Sequence, residues 1–240
     1  MITVVVPVLN EEKNIEPLLR EIIAVDAPVS EIIYVDDGST DYTYDILKSL
    51  RREHVALRII RHEERSGQSA ALWTGIRAAG NNLIATLDGD GQNDPADIAL
   101  LYNAYQKLQA TNGGRVMVAG QRRKRQDSLA KRLSSRFANK LRSSLLKDQT
   151  RDTGCSLKMF RRYDYLALPY FNHMHRFLPA LMIREGVKIV HVDVSHRPRT
   201  SGVSKYGTLD RALVGVSDLM GVRWLQTRAP SHTEIYEELN

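Results

Sequence analysis

The feature that most restricts the possible folds is an alternation of short apolar runs with amphipathic stretches through residues 2–119, each early run ending on a polar cluster. Ile2–Val6, Ile32–Val35, Val55–Ile60, Leu83–Leu87 and Val116–Ala119 read as strands, short and rich in β-branched residues. The segments between them carry helical spacing. Asn10 is expected to cap a helix whose apolar face is Ile15, Leu18, Leu19, Ile22 and Ile23. Helices are expected at Asp41–Glu53 and Gln68–Ala79, and Asp94-Pro95 sets a cap residue before a first-turn proline, opening a helix to about Gln109.

Such β-α alternation predicts an α/β protein with a mainly parallel sheet covered by helices on both faces. Ligands of such sheets sit outside the carboxyl ends of the strands. The polar clusters fall there. Asn10-Glu11-Glu12 follows the first strand, Asp36-Asp37-Gly38-Ser39 the second, and Asp88-Gly89-Asp90 the fourth.

The second half is less regular. A basic helix Ser128–Lys147 is followed by a strand Ser156–Phe160, a helix Arg176–Glu185 and a strand Lys188–Val194. A basic loop from His196 to Lys205 leads to an amphipathic helix over Thr208–Gln226, and the tail Ser231–Asn240 is acidic. With no internal repeat and no dividing linker, residues 1–226 are expected to form one domain and 227–240 a polar tail.

Apolar content of 42% over 240 residues excludes a disordered chain, and 15 Gly with 8 Pro exclude a low-complexity one. Cys155 is the single cysteine, which excludes an internal disulfide framework or a Cys-rich zinc site. The apolar start at Ile2 reads as a strand rather than a secretory leader, and no run approaches the roughly 18 apolar residues of a membrane span. These features predict a soluble, cytoplasmic protein.

The net charge of +6 is concentrated. Residues 115–151 hold 12 Lys/Arg against 2 Asp/Glu, a local net of +10, while the remainder is net −4. A patch of this kind suits an anionic partner: a phosphorylated small molecule, a membrane surface or nucleic acid. Leu129, Leu133, Phe137, Leu141 and Leu145 form one helical stripe inside it, flanked by Arg132, Arg136 and Lys140. That arrangement suits either anionic lipid or packing on a sheet.

Asp88 and Asp90 offer two hard oxygen ligands across a glycine, a pattern suited to Mg²⁺ or Mn²⁺ shared with substrate phosphates, with Gln92 and Asp94 as further oxygen donors. A carboxylate of the Asp36-Asp37 pair can accept from a ribose hydroxyl or base edge, although Asp-Gly-Ser also makes ordinary turns. No dinucleotide-type or P-loop glycine pattern occurs. His173, His175, His191 and His196 lack zinc-site spacing, and Cys155, with no base assigned to it, reads as a packed thiol.

Taken together, the motifs resemble the inverting family 2 glycosyltransferases of GT-A fold, a Rossmann-like three-layer sandwich, within the branch of dolichol-phosphate mannose synthase and bacterial polyprenyl-phosphate sugar transferases. The matching residues are Val6 to Glu12, Val35 to Asp41, Leu87 to Pro95, Arg151 to Ser156, and Arg197-Pro198-Arg199 with Gly202 to Gly207. The resemblance covers about residues 2–225. It implies that the first two clusters hold the nucleotide, with Pro7, Asn10, Glu11, Asp36 and Asp37 in that site. It implies Asp88, Asp90 and Gln92 as ligands of Mg²⁺ or Mn²⁺. It places Arg122, Arg132 and Ser135 on the acceptor phosphate, with Arg123 and Ser134 as alternative matches, Arg199 and Lys205 on the diphosphate, and Asp152 near the sugar. The catalytic set is then Asp90, Asp152, Arg199 and Lys205.

The implied activity is transfer of a sugar from a nucleotide diphosphate to a polyprenyl phosphate with inversion. Many relatives carry transmembrane helices after the catalytic domain, so docking on the cytoplasmic face of the membrane is expected from the basic helix, the last helix, a second copy or an anchoring partner. Three competitors stand beside this reading, of which a catalytically dead sugar-nucleotide sensor is opposed by the intact metal and late-loop residues. Another is a glycosyltransferase acting on a saccharide hydroxyl, which needs a base such as Asp152 or Asp94. The third is a nucleic-acid-binding module suggested by Arg122-Arg123-Lys124-Arg125, which no recognised motif accompanies; nucleic acid is therefore not expected as a partner.

Overall fold

Strand β1 (Ile2–Val8) is the axis of the molecule because it is apolar on both faces. Val4, Val6 and Val8 enter one core, and Val5 enters the other. A strand buried on both sides reads as a continuous apolar run rather than an alternating one. The computed structural model describes residues 1–122, 142–148, 150, 152, 154–198 and 208–228. Its seven strands form one sheet in the order β3-β2-β1-β4-β6-β5-β7, with β2 Val29–Asp36, β3 Leu57–Arg61, β4 Leu83–Thr86, β5 Val116–Arg122, β6 Lys158–Arg161 and β7 Lys188–Val194.

β1 pairs in parallel with both β2 and β4, so the chain winds outward in two directions from it. The helices α1 (Ile15–Ile23), α2 (Thr43–Glu53) and α4 (Asp97–Asn112) cover one face, and Leu19, Leu47 and Ile98 anchor them in the first core. On the other face lie α3 (Gln68–Ala78), α5 (Arg162–Leu166), a 3-10 turn (Met174–Phe177), α6 (Leu178–Arg184) and α7 (Thr208–Thr227), with Ile76, Tyr165, Leu181 and Val222 in the second core. Each such fully buried side chain contributes on the order of 1.5–3 kcal/mol. The three-layer α/β sandwich expected from the sequence is the fold observed.

β6 runs antiparallel to β4 and β5, with Lys158 opposite both Thr86 and Ala119. The reversal has a direct consequence. β6 starts at the edge where β4 and β5 end, and β7, parallel to β5, ends there too, with Val194 opposite Arg122. The acidic turns of the first half and the start of β6 therefore meet at one edge.

Several expected boundaries shift. Val55 is 85% exposed and β3 begins at Leu57, so the third strand starts two residues late. Ile23, placed on the apolar face of α1, is exposed, whereas Ile15, Leu18, Leu19 and Ile22 are buried. α4 opens at Asp97 rather than Pro95, because residues 94–96 form a turn in which the Ala96 N–H donates to Asp94 Oδ1. The strand expected at Ser156 begins at Lys158, and the helix expected from Arg176 starts as the 3-10 turn and becomes α6 at Leu178. Of the basic helix, residues 142–146 are helical; Leu145 is exposed and Leu146 is buried, so the end of the stripe does not face the core. The rest of that helix, and the acidic tail, lie outside the described residues.

The helix-on-sheet contact of α3 depends on Gly75. A Cβ built there would lie 2.5 Å from Val5 Cγ1 and 2.9 Å from Val35 Cγ2. Glycine to alanine in a helix interior ordinarily stabilises by up to about 1 kcal/mol. Gly75→Ala is expected to do the opposite, lowering stability by about 1–3 kcal/mol through overpacking, read as a fall in the urea midpoint.

Candidate active site

The loop after β1 is stitched to the loop after β2. Asn10 adopts φ 53°, a left-handed conformation that asparagine tolerates. Its backbone N–H donates to Ser39 Oγ at 2.9 Å, and its Oδ1 accepts from the Thr40 N–H at 2.8 Å. Asn10 therefore does not cap α1 as the sequence suggested; Asn14 precedes that helix. The Glu11 N–H donates to Thr43 Oγ1, and the Glu11 carboxylate accepts from Asn14 Nδ2 at 2.7 Å.

The acidic pair that closes β2 is buried and engaged. Asp36 accepts from the Ser39 N–H at 2.9 Å and faces Arg61 Nε at 3.3 Å. Asp37 accepts from the Ser66 and Gly67 N–H groups at 2.9 and 2.8 Å and lies 2.8 Å from His62 Nδ1. Asp37 thus fixes the segment leading into α3. Pro7, one residue before the end of β1, is half-buried at the same edge.

The turn after β4 is pressed against β1. A Cβ on Gly89 would run into Val8 Cγ1 and lie 3.1 Å from the Pro7 carbonyl, which restricts that position to glycine. Asp88 and Asp90 are both half-buried. Asp88 Oδ1 accepts from Gln68 Nε2 at 2.7 Å, its N–H donates to Ser156 Oγ at 3.1 Å, and the Ser156 hydroxyl donates to Asn93 Oδ1 at 2.7 Å. The Gln92 N–H donates to Asp90 Oδ1 at 3.1 Å. Burial, then the neighbouring Asp90 charge, raises Asp88 to about 6. A carboxylate pair strained by desolvation and mutual repulsion fits a divalent cation, which relieves both. Among the described residues no three His, Cys, Asp or Glu side chains gather as a metal site, so an ion here rests on the two aspartates and neutral oxygens such as the Gln92 amide.

Two residues expected to act on different ligands instead meet each other. Arg122, at the end of β5, and Asp152 form a two-pronged ion pair, Nε to Oδ2 at 2.5 Å and Nη2 to Oδ1 at 2.7 Å, with side chains 12% and 8% exposed. Cys155 is buried, its thiol pushed up by burial, in keeping with a packed thiol. Lys158 was missed by the sequence analysis. It is buried at the start of β6, donates to the Cys155 carbonyl, and is pushed down by burial. The one available signal was a lysine inside the apolar run Leu157–Phe160.

Arg197 was also missed as a positioning residue. Its N–H donates to the Gln92 carbonyl at 2.9 Å, and its guanidinium pairs with Glu21 at 2.6 Å and Asp94 at 2.8 Å. Two residues earlier, the Ser195 N–H donates to Asp97 Oδ2 at 2.6 Å. The segment leaving β7 is thus fastened to the turn that carries Asp90 and Gln92. Arg132, Ser135, Arg199 and Lys205 lie outside the described residues, as do Arg123 and Ser134.

A mainly parallel α/β sheet that gathers its acidic turns and a basic strand end at one edge defines the GT-A class of fold. The chain belongs to glycosyl transferase family 2, whose model matches residues 3–167. It is similar to the dodecaprenyl-phosphate galacturonate synthase of Rhizobium johnstonii, 37% identical over 230 residues, covering 92% of this chain and 66% of the relative. It is also similar to the undecaprenyl-phosphate 4-deoxy-4-formamido-L-arabinose transferase of Aeromonas hydrophila, 31% identical over 213 residues, covering 87% of this chain and 64% of the relative. The chain therefore spans somewhat less than two thirds of these relatives. A crystal structure of glucosyl-3-phosphoglycerate synthase from Mycobacterium tuberculosis, holding Mn²⁺, UDP and product, shares the fold at TM-score 0.65 and 21% identity, covering 97% of this chain and 81% of that one. Another crystal of that enzyme holds Mg²⁺ and UDP.

The Arg122–Asp152 pair sets a measurable expectation. Removing one partner of a buried pair costs about 3–5 kcal/mol, because the other charge is left uncompensated. Arg122→Ala and Asp152→Ala are each expected to destabilise by about that much in urea unfolding, and the double variant by clearly less than the sum.

Proposed function

We propose that this protein transfers a sugar from a nucleotide diphosphate sugar to a polyprenyl phosphate with inversion, and that residues 1–226 act as one catalytic unit. The observation that carries the reading is the state of the two candidate bases. Both oxygens of Asp152 accept from Arg122. Asp94 accepts from the Ala96 N–H through one oxygen and faces Arg197 through the other. Neither carboxylate is poised to take a proton from a sugar hydroxyl, which favours an acceptor that needs no base. A phosphate monoester, with a second pKa near 6, is such an acceptor at neutral pH. The names of both curated relatives, a dodecaprenyl-phosphate and an undecaprenyl-phosphate sugar transferase, support the same acceptor class.

In this reading the nucleotide lies along Pro7, Asn10, Glu11, Asp36 and Asp37, whose loops are stitched together beforehand so that little ordering is left to binding. Asp88, Asp90 and Gln92 hold Mg²⁺ or Mn²⁺, which supplies Lewis-acid stabilisation of the leaving diphosphate when bound. Arg199 and Lys205 add cationic contacts to that diphosphate. Arg122, oriented by Asp152, joins Arg132 and Ser135 in holding the acceptor phosphate in line with the anomeric carbon. A charge-assisted contact of this kind contributes about 1.5–3 kcal/mol.

Among the described residues no helix is long and apolar enough to cross a membrane. The outer face of α7 nevertheless exposes Val216, Met220 and Trp224, spaced by four residues, while Val222 on its opposite side is buried. This stripe, with the +10 segment, suits peripheral docking on the cytoplasmic face of an anionic membrane where the lipid acceptor resides.

Asp90→Ala is expected to reduce metal-dependent transfer to a short polyprenyl phosphate by at least about 100-fold with unchanged circular dichroism; full activity in the presence of a chelator removes the ion from the reaction. Product analysis by mass spectrometry with polyprenyl phosphates and oligosaccharides offered side by side tests the acceptor, and exclusive glycosylation of oligosaccharides overturns the proposal. Vesicle binding is expected to require anionic lipid, to fall with salt, and to weaken about tenfold in the Met220→Ser/Trp224→Ser variant.

A further inference from the structure

A cavity of about 220 Å³ opens beside Asp88, between β4, the start of β6 and the 3-10 turn. That is room for one pyranose ring. Its polar wall is rich in donors. The Tyr165 hydroxyl is buried with no hydrogen-bond partner among the described residues, in a ring stacked on Phe160 at 5.4 Å. A buried unpartnered hydroxyl in a cavity wall points to a ligand that accepts from it.

Three basic side chains complete the wall. Lys158 uses one of its three N–H groups on the Cys155 carbonyl. The half-buried Arg176 forms no side-chain hydrogen bond or ion pair among the described residues. His175 is kept neutral by burial, its pKa pushed down to about 3, so it adds a hydrogen bond rather than a charge. The Ser69 hydroxyl lies 2.7 Å from His175 Nδ1 and accepts from the His175 backbone N–H at 3.3 Å.

The cavity thus holds two cations, and among the described residues the only carboxylate in its lining is Asp88, which the proposed function assigns to the divalent ion. We propose that this cavity receives the transferred sugar and that Arg176 and Lys158 make it selective for a sugar bearing a carboxylate, a uronate. The inference rests on the donor reading: a diphosphate held at Asp88 and Asp90 places the anomeric carbon at the mouth of the cavity. A carboxylate supplies the anionic partner that Arg176 lacks and an acceptor for the remaining N–H groups of Lys158, with the Tyr165 hydroxyl donating to a ring oxygen. A neutral hexose leaves both cations facing hydroxyl groups alone.

The test is calorimetric titration of the full chain in Mn²⁺ with matched donors: UDP-galacturonate against UDP-galactose, UDP-glucuronate against UDP-glucose, GDP-mannuronate against GDP-mannose, and free UDP and GDP. At least one uronate is expected to bind about tenfold or more tighter than its hexose. Arg176→Gln, which leaves Lys158 in place, is expected to lower that ratio severalfold, and Tyr165→Phe to weaken both members of the pair alike. Arg176→Lys, which keeps the charge and is expected to keep part of the preference, covers the case in which the glutamine variant does not fold. Nucleotide binding without any advantage for the carboxylate, or an advantage undiminished in Arg176→Gln, overturns the sugar class and leaves the donor reading standing. Absence of binding by every nucleotide overturns the donor reading and this inference with it.

Discussion

The constraint on which everything else rests is the parallel pairing of β1 with β2 on one side and β4 on the other. Winding outward in both directions forces the crossover helices onto opposite faces, which buries β1 twice and leaves a crevice where the direction of winding changes. Val8 sits at the mouth of that crevice, opposite Asp36 in the register and against Gly89 of the neighbouring turn. The acidic clusters converge because the sheet topology places the ends of β1, β2 and β4 side by side, with no need for long reaching loops.

The first half of this arrangement was legible in the sequence because strand and helix periodicities differ and because each strand stops at a polar cluster. The second half was legible only as elements. Lys188–Val194 is found as expected, yet nothing in the spacing of residues reveals that β6 reverses direction. That reversal brings Lys158 to the ligand edge. Helix starts were the weakest point: Asn10 and Asp94 carry the side chains of capping residues, but each spends its oxygen on a loop or turn nearby, a competition that composition alone does not resolve. For the candidate site, the Asp88–Asp90 pair was readable from residue type and spacing. The Arg122–Asp152 pair was not, because it joins positions 30 residues apart whose roles looked independent.

The electrostatics of the edge follow a division of labour. Carboxylates that hold architecture are satisfied by backbone or side-chain donors, as Asp37 is by Ser66, Gly67 and His62. Asp88 is different: it accepts from a neutral amide while burial and Asp90 act against its charge. One strand away, the buried Lys158 partly offsets the acidic pair, so the region is less negative than the Asp-Gly-Asp sequence alone suggests. Arg197 has a mechanical part in the same scheme, linking α1, the acidic turn and the segment after β7 through one guanidinium and one backbone N–H.

Gly75 on one face of the sheet and Gly89 at its edge both leave β1 and its neighbours without slack. A frame with no room for an added methyl keeps the strand ends in one arrangement, because a larger side chain there must push a strand aside. The seam between β5 and the start of β6 is as tight, since a Cβ on Gly120 would lie 2.9 Å from the Leu157 carbonyl and 3.0 Å from Cys155 Sγ. Any change of shape at this edge is therefore left to side chains that project beyond the strand ends, while the sheet beneath them holds its spacing.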